Sequence, residues 1–382
     1  MKVLIVIDSL TLGGGIQQSV VTLCSRLKDK GVECNIAVLF PRKDSDVNIE
    51  NKKIRIFFLN LKSRWDFIGS ISNLSKVYKN YRFDIIHAHS FMAQIHVGIG
   101  RIFFKKSKLI ATHHDLKYEV YPAKKLLSKL LKIFHVFINR YFFDKHTAVS
   151  ETVKEYICSY YRIPSATVIP NGFDINYIRM VTSKSHFQSN RKHYLGNKFK
   201  FLAVIPGRLV KEKNHKIILK TINEYPQKLS RILFLIVGNG EMGDELKKCI
   251  EEKKLENVRI LQAMKHDSLL FLMKESDLII LPSLSEGFPL VIGEAMALGK
   301  TIVSTKISSI SEILIDECDS LLVDPKDPSQ LYCAISEILS NKSLRCHLSF
   351  CAKKNIEKFD IDIISDRWID FYKIQIGGAR RQ

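Results

Sequence analysis

Two carboxylates eight positions apart, Glu286 and Glu294, bracket the stretch EGFPLVIGE, which follows the apolar run Leu278 to Leu281 and the turn Pro282-Ser283-Leu284-Ser285. Pro289 suits the first position of a helix, where a missing N–H costs nothing. The spacing therefore predicts Glu286 in a loop and Glu294 about one turn into a helix. Such a strand–loop–helix junction aims backbone N–H groups and a partial positive charge at whatever lies above it, which favours a phosphate. Carboxylates cannot bind that phosphate, but they accept hydrogen bonds from hydroxyls. The pattern calls for a phosphate that carries hydroxyl-bearing groups, such as a ribose and a sugar.

Other loops supply complementary groups. Gly207-Arg208-Leu209-Val210-Lys211-Glu212-Lys213-Asn214 places Arg208 and Lys213 on one loop after an apolar strand. A guanidinium fork and an ammonium can clamp a diphosphate, although a solvated basic loop has the same composition. Gly13-Gly14-Gly15 lies between strand and helix, either letting backbone approach a phosphate or sugar or making a tight turn with φ > 0. It is not G-x-G-x-x-G, and the second strand ends in Phe40-Pro41-Arg42-Lys43 without an acid, which argues against a nicotinamide enzyme. Thr112-His113-His114-Asp115 and His87-Ala88-His89 end strands with imidazoles, suited to proton handling or to a hydroxyl, with packed histidines as the alternative. No metal is expected there, because the loop lacks a helical i, i+4 spacing and a third ligand. Asp44-Ser45-Asp46 reads as a solvated loop.

The elements that must hold these loops follow from hydrophobic pattern. Val3 to Ile7 is an apolar run, Ile16 to Lys30 has helical spacing before Gly31, and Glu33 to Phe40 reads as a second strand: a βαβ unit with buried parallel strands. Further strands are predicted near 54–59, 84–88, 108–112, 146–149 and 167–169, then at 201–205, 232–237, 258–262, 278–281, 301–304 and 320–323. At 382 residues the chain exceeds the usual size of one core. Two α/β domains are expected, residues 1–175 and 201–358, joined by a polar linker at 176–200 and followed by residues 359–382. Ligands of open parallel sheets bind at the carboxyl ends of strands, where all the loops above fall.

Composition narrows the partners. The formal net charge is +20, which favours an anionic partner. Eight scattered cysteines without a C-x-x-C pair point to free thiols in a reducing cytoplasm. The N-terminal apolar run is too short for a signal peptide, and no run approaches the length of a membrane span. Residues 121–143, YPAKKLLSKLLKIFHVFINRYFF, carry five basic and no acidic side chains, with Leu126, Leu127, Leu130, Leu131 and Phe134 at helical spacing. That helix either lies on an anionic membrane or packs in the core with its lysines in water. No nucleic-acid-binding motif is present, and nucleic acid is not an expected partner.

Together, S-x-x-E-G-F-P-L-V-x-x-E-A-M-A-x-G (Ser283 to Gly299), G-R-L-x-x-E-K-N (Gly207 to Asn214), V-G-N-G (Val237 to Gly240), I-P-N-G-F-D (Ile169 to Asp174) and the N-terminal glycine loop resemble the retaining glycosyltransferases of the GT-B fold, glycosyltransferase family four. The resemblance runs in order over almost the whole chain. It implies two Rossmann-like parallel-sheet domains facing across a cleft, the first on the acceptor side and the second binding nucleotide sugar, with a last helix around Ile363 to Ile374 crossing back to the first. It gives Arg208 and Lys213 to the donor diphosphate, and the amides of Gly287, Phe288, Pro289, Leu290 and Val291 to phosphate and sugar, short of the amide hydrogen that proline lacks. Glu294 is given to the ribose hydroxyls, Glu286 to the transferred sugar, His114 to the donor sugar near its reacting carbon, and Gly13, Gly14 and Gly15 to covering the diphosphate. Ala263 replaces a frequent glycine near the base, leaving UDP against GDP open, and Lys306 to Glu312 lacks a frequent D-x-G-G.

The expected activity is metal-independent, cofactor-free transfer of a hexose or N-acetylhexosamine with retention. The donor is a nucleotide diphosphate sugar, UDP-linked by preference, and the acceptor a glycan or lipid-linked oligosaccharide. The setting is bacterial surface polysaccharide synthesis, including lipopolysaccharide, in the cytoplasm or peripherally on the inner face of its membrane. The alternatives are a non-catalytic peripheral membrane protein on the same scaffold and a sugar-nucleotide epimerase.

Overall fold

The computed structural model describes residues 1–10, 14–40, 54–116, 125–183 and 191–377. The chain divides into two compact units, Met1–Phe173 together with Phe359–Gln382, and Asp174–Lys358.

The first unit is built on seven strands: β1 (Lys2–Ile7), β2 (Glu33–Val38), β3 (Ile56–Phe58), β4 (Ile85–Ala88), β5 (Lys108–His113), β6 (Lys145–Ala148) and β7 (Thr167–Val168). They form one parallel sheet in the order β3-β2-β1-β4-β5-β6-β7. Side chains alternate across a strand, so a sheet covered on both faces needs apolar residues at every position. In β1, Val3, Ile5 and Ile7 enter one core and Leu4 and Val6 the opposite one. The first core holds helix Gly15–Asp29 and helix Ile361–Gly377, whose Ile361, Ile364, Trp368 and Tyr372 recur at helical spacing and are buried. The second core receives helices Phe67–Tyr81, Phe91–Ile99 and Lys125–Phe142.

The second unit has six parallel strands: β8 (Phe201–Pro206), β9 (Ile232–Val237), β10 (Val258–Leu261), β11 (Leu278–Leu281), β12 (Thr301–Thr305) and β13 (Leu321–Val323), ordered β10-β9-β8-β11-β12-β13. In each sheet the winding reverses beside the first strand, between β1 and β4 and between β8 and β11. These are the topological switch points at which such sheets bind ligands.

Two local expectations change. Pro289 is the N-cap, and the helix runs Leu290–Ala297; Pro289 has ψ 112, an extended value that the helix interior does not tolerate. Residues 176–200 contain two helices, Ile175–Val181 and Arg191–Leu195, within the second unit. Asp174 caps the former by accepting from Tyr177 N, and Ile175, Ile178 and Val181 are buried, so this segment packs rather than linking. Among the described residues no helix is long and apolar enough to cross a membrane.

Candidate active site

At the second unit's switch point the loop after β8 and the loop after β11 meet. Leu284 N donates to Glu212 O at 2.7 Å, tying the two backbones. Lys213 Nζ pairs with Glu286 Oε1 at 2.5 Å, and Ser283 Oγ donates to the same oxygen at 2.6 Å. Thr305 Oγ1, at the end of β12, donates to Ser283 O at 2.5 Å and holds the turn. Lys213 reaches this place from a single 3-10 turn, Lys211–Lys213, closed by Asn214 in the left-handed region (φ 52). Arg208 is exposed on the same loop and makes no ion pair with another described residue.

The V-G-N-G loop after β9 is welded to this backbone. Leu209 N donates to Asn239 O at 2.9 Å and Met242 N to Leu209 O at 2.8 Å. A Cβ on Gly238 would sit 2.0 Å from the carbonyl oxygen of Gly207, and one on Gly240 2.4 Å from that of Leu209. Those two glycines are therefore required by close backbone approach.

Helix Leu290–Ala297 begins directly after the Glu286 loop, and no side chain caps its N-terminus. Its first N–H groups and dipole lie beside Gly287, Phe288 and Pro289, on the segment that carries Glu286. Glu294, 5% exposed, is held by His266 Nε2 at 2.7 Å from its Oε1. His266 opens helix His266–Glu275 and was not singled out from sequence. Its only signal is the run Met264-Lys265-His266-Asp267 after β10, on the side where a nucleotide base was expected. His215, beside Lys213, was also missed. It is buried with Nδ1 unpaired, and burial together with the Lys213 charge lowers its pKa to about 4.

In the first unit, Gly13 lies outside the described residues, as do the Asp44-Ser45-Asp46 loop and part of 121–143. Gly14 is the N-cap of helix Gly15–Asp29 with φ −82, and Gly15 has no positive φ, so the described part of this loop is not a left-handed turn. The N-terminus of that helix has no side-chain cap. Across the switch point, Asp8 accepts from Ser90 Oγ and, at 2.8 Å, from Ala93 N, and so closes the start of helix Phe91–Ile99. Burial, partly offset by these bonds, raises the Asp8 carboxyl above the ordinary carboxylate value.

The histidines of β4 and β5 come together. His89 Nδ1 is 3.0 Å from His114 Nε2 and His89 Nε2 3.2 Å from His87 Nδ1. His114 is 6% exposed, and burial lowers its pKa to about 4. Ser19 Oγ donates to Asn171 Oδ1 at 2.7 Å, and both join His114, His89, Thr112 and Trp368 around a small pocket.

Two doubly wound parallel units, one of them setting a cationic loop against a carboxylate and a helix N-terminus, fit a protein that binds a nucleotide diphosphate at a switch point. Residues 187–355 match the family described as glycosyl transferases group 1, and residues 13–177 match glycosyltransferase family 4. The chain is 30% identical over 277 residues to the Escherichia coli O-antigen biosynthesis glycosyltransferase WclY, covering 70% of this chain and 72% of that one. It is 27% identical over 360 residues to the E. coli UDP-Gal:alpha-D-GlcNAc-diphosphoundecaprenol alpha-1,3-galactosyltransferase, covering 87% and 91%. The structure of Anabaena HepE in complex with UDP-glucose superposes with a TM-score of 0.81 at 20% identity, over 97% of this chain and 99% of that one. The chain belongs to the family-four-like group of GT-B glycosyltransferases.

Proposed function

We propose that the chain transfers a hexose or N-acetylhexosamine from a UDP-sugar, with retention, to a lipid-linked glycan in surface polysaccharide synthesis. The Lys213–Glu286 pair beside the exposed Arg208, at the foot of an uncapped helix, carries this reading. As the glycosidic bond breaks, charge builds on the leaving diphosphate. Arg208, Lys213 and the first N–H groups of helix Leu290–Ala297 are suited to hold that charge without a metal. Glu286 binds sugar hydroxyls, Glu294, steadied by His266, takes the ribose, and His114 takes a sugar hydroxyl in the first unit. One relative, named for both UDP-galactose and a diphosphoundecaprenol-linked sugar, supports the donor and acceptor classes.

The test is thermal shift against UDP-, GDP- and ADP-sugars, alongside transfer assays. A UDP-sugar should raise the melting temperature of the wild type, and Arg208→Ala should weaken both this shift and transfer, the latter by roughly a hundredfold. Full transfer by Arg208→Ala would remove the assignment.

An anionic membrane surface is the proposed second partner. In helix Lys125–Phe142, Leu131 and Ile138 are buried, whereas Leu130, Ile133, Phe137 and Tyr141 are 54%, 66%, 49% and 62% exposed. Leu130, read from sequence as part of the same apolar face as Leu131, faces outward instead. The exposed four form one stripe at helical spacing, flanked by exposed Lys129, Lys132 and Arg140, an arrangement that suits apolar insertion among anionic headgroups. In flotation assays the wild type should bind vesicles rich in phosphatidylglycerol and ignore phosphatidylcholine. Ile133→Glu with Phe137→Glu should abolish that binding while the melting temperature holds, and equal binding by the variant would exclude this surface.

A further inference from the structure

Behind His114 a line of buried imidazoles and hydroxyls runs to the helix at residues 361–377. His114 Nε2 is 3.0 Å from His89 Nδ1, His89 Nε2 is 3.2 Å from His87 Nδ1, and His87 Nδ1 is 2.7 Å from Tyr372 OH. On its other side His87 Nε2 is 2.5 Å from Thr112 Oγ1, itself 2.6 Å from Thr147 Oγ1. All six residues are buried. Burial also keeps the imidazoles uncharged: it lowers His114 to about 4, and His87 and His89 well below the ordinary value of 6.5.

An uncharged imidazole has one N–H and one lone pair, so the choice at one end of such a line fixes every ring in it. Only two sets of ring tautomers give each contact a donor, with the Thr112–Thr147 hydrogen free to run either way in the first. In the first, Tyr372 donates to His87 Nδ1 and His87 Nε2–H donates to Thr112. His89 Nε2–H then points at the same His87 nitrogen over the longer distance, and His114 Nε2–H donates to His89 Nδ1. In the second, every hydrogen is reversed. Each set leaves one hydroxyl hydrogen without an acceptor among the described residues, on a threonine in the first and on Tyr372 in the second. A phenol is a stronger acid than an aliphatic alcohol and a poorer acceptor, so the phenol is the one that donates.

We propose that Tyr372, acting through His87 and His89, fixes His114 as the Nε2–H tautomer and leaves its Nδ1 as a bare lone pair for a ligand hydroxyl. His114 makes no hydrogen bond through Nδ1 to a described residue and lines the pocket shared with Thr112, Ser19 and Asn171. A lone pair accepts from a hydroxyl and repels a carboxylate, so the sugar read here is neutral and not a uronate. That ligand class rests on the sugar placement in the proposed function, whereas the tautomer does not. Tyr372, His87 and His89 are positioning residues.

The tautomer is read directly by nitrogen NMR of the full chain labelled in its imidazoles, with His114 assigned by difference from His114→Gln. The wild type should show His114 Nε2 as the protonated nitrogen and Nδ1 as the bare one, unchanged between pH 6 and 8. Tyr372→Phe removes the donor that sets the direction and should move His114 toward the Nδ1–H form. A wild-type Nδ1–H or charged His114 overturns the proposal, as does an unaltered His114 in a folded Tyr372→Phe. For the ligand class, calorimetry with UDP-glucose and UDP-glucuronate should favour the former by about tenfold or more in the wild type, and by less in Tyr372→Phe. Equal affinities in the wild type overturn the hydroxyl assignment. If no UDP-sugar binds, the donor reading fails while the spectrum still decides the tautomer.

Discussion

Lys213→Ala is expected to reduce transfer by a factor on the order of 10² to 10³, the usual consequence of removing one group that stabilises developing charge in a sheltered site. It should also destabilise the second unit. The Glu286 side chain is 9% exposed and would keep only Ser283 as a close polar partner. Breaking a buried pair from one side costs about 3–5 kcal/mol, because the remaining charge is left uncompensated; the Lys213 side chain, 19% exposed, places this case toward the lower end. The two effects separate in the double variant Lys213→Ala with Glu286→Gln. Neutralising the stranded carboxylate should restore most of the melting temperature and none of the lost rate. Wild-type transfer by Lys213→Ala, in an assay with whichever UDP-sugar stabilises the wild type, would refute the role of this lysine.

The first unit is expected to be acid-labile. Burial lowers His114 and His146 to about 4 and His135 to about 3, and His87, His89 and His113 also fall well below the ordinary value of 6.5. With the folded value depressed, the folded state stays unprotonated while the unfolded chain takes up protons as the pH falls. Stability is therefore fully present above pH 6.5 and is lost progressively toward pH 4. For a histidine lowered to about 4 the loss at pH 5 is on the order of 2 kcal/mol, so a few of them rival the stability of a whole domain. Urea unfolding followed by hydrogen exchange should show residues 1–173 losing protection between pH 7 and 5 well before residues 201–358, where burial lowers His215 in the same way. Equal urea midpoints for the first unit at pH 7 and pH 5 would contradict this.

The parallel sheets were legible in sequence because a strand buried on both faces must be apolar throughout, and β1, β9 and β11 are. Their parallel direction follows from the alternation of strand and helix, whereas their order does not. The loops of the candidate site were legible by position, because each follows the carboxyl end of a strand where such sheets bind ligands; by composition alone Arg208 and Lys213 fit a solvated basic loop equally well. What sequence could not give was pairing. Nothing in the spacing says that Lys213 meets Glu286 across 73 residues, that His266 meets Glu294, or that the histidines of β4 and β5 join Tyr372 across 285 residues. The helix Ile175–Val181 was missed because seven residues are too few to display a period. The outward stripe of helix Lys125–Phe142 was missed because apolar residues occupy both faces, so periodicity alone does not say which one is covered.

The helix at residues 361–377 closes the core of a unit whose other elements end at Phe173, and the two stretches are stitched where Ile361 N donates to Phe173 O and Phe173 N to Phe359 O, both at 2.9 Å. On the ribosome, then, the earliest part of the chain stays unfinished while some 185 intervening residues emerge, and its apolar flank waits uncovered for Ile364, Trp368 and Tyr372 to be synthesised. Nascent chains stalled before that point should be the ones that chaperones hold.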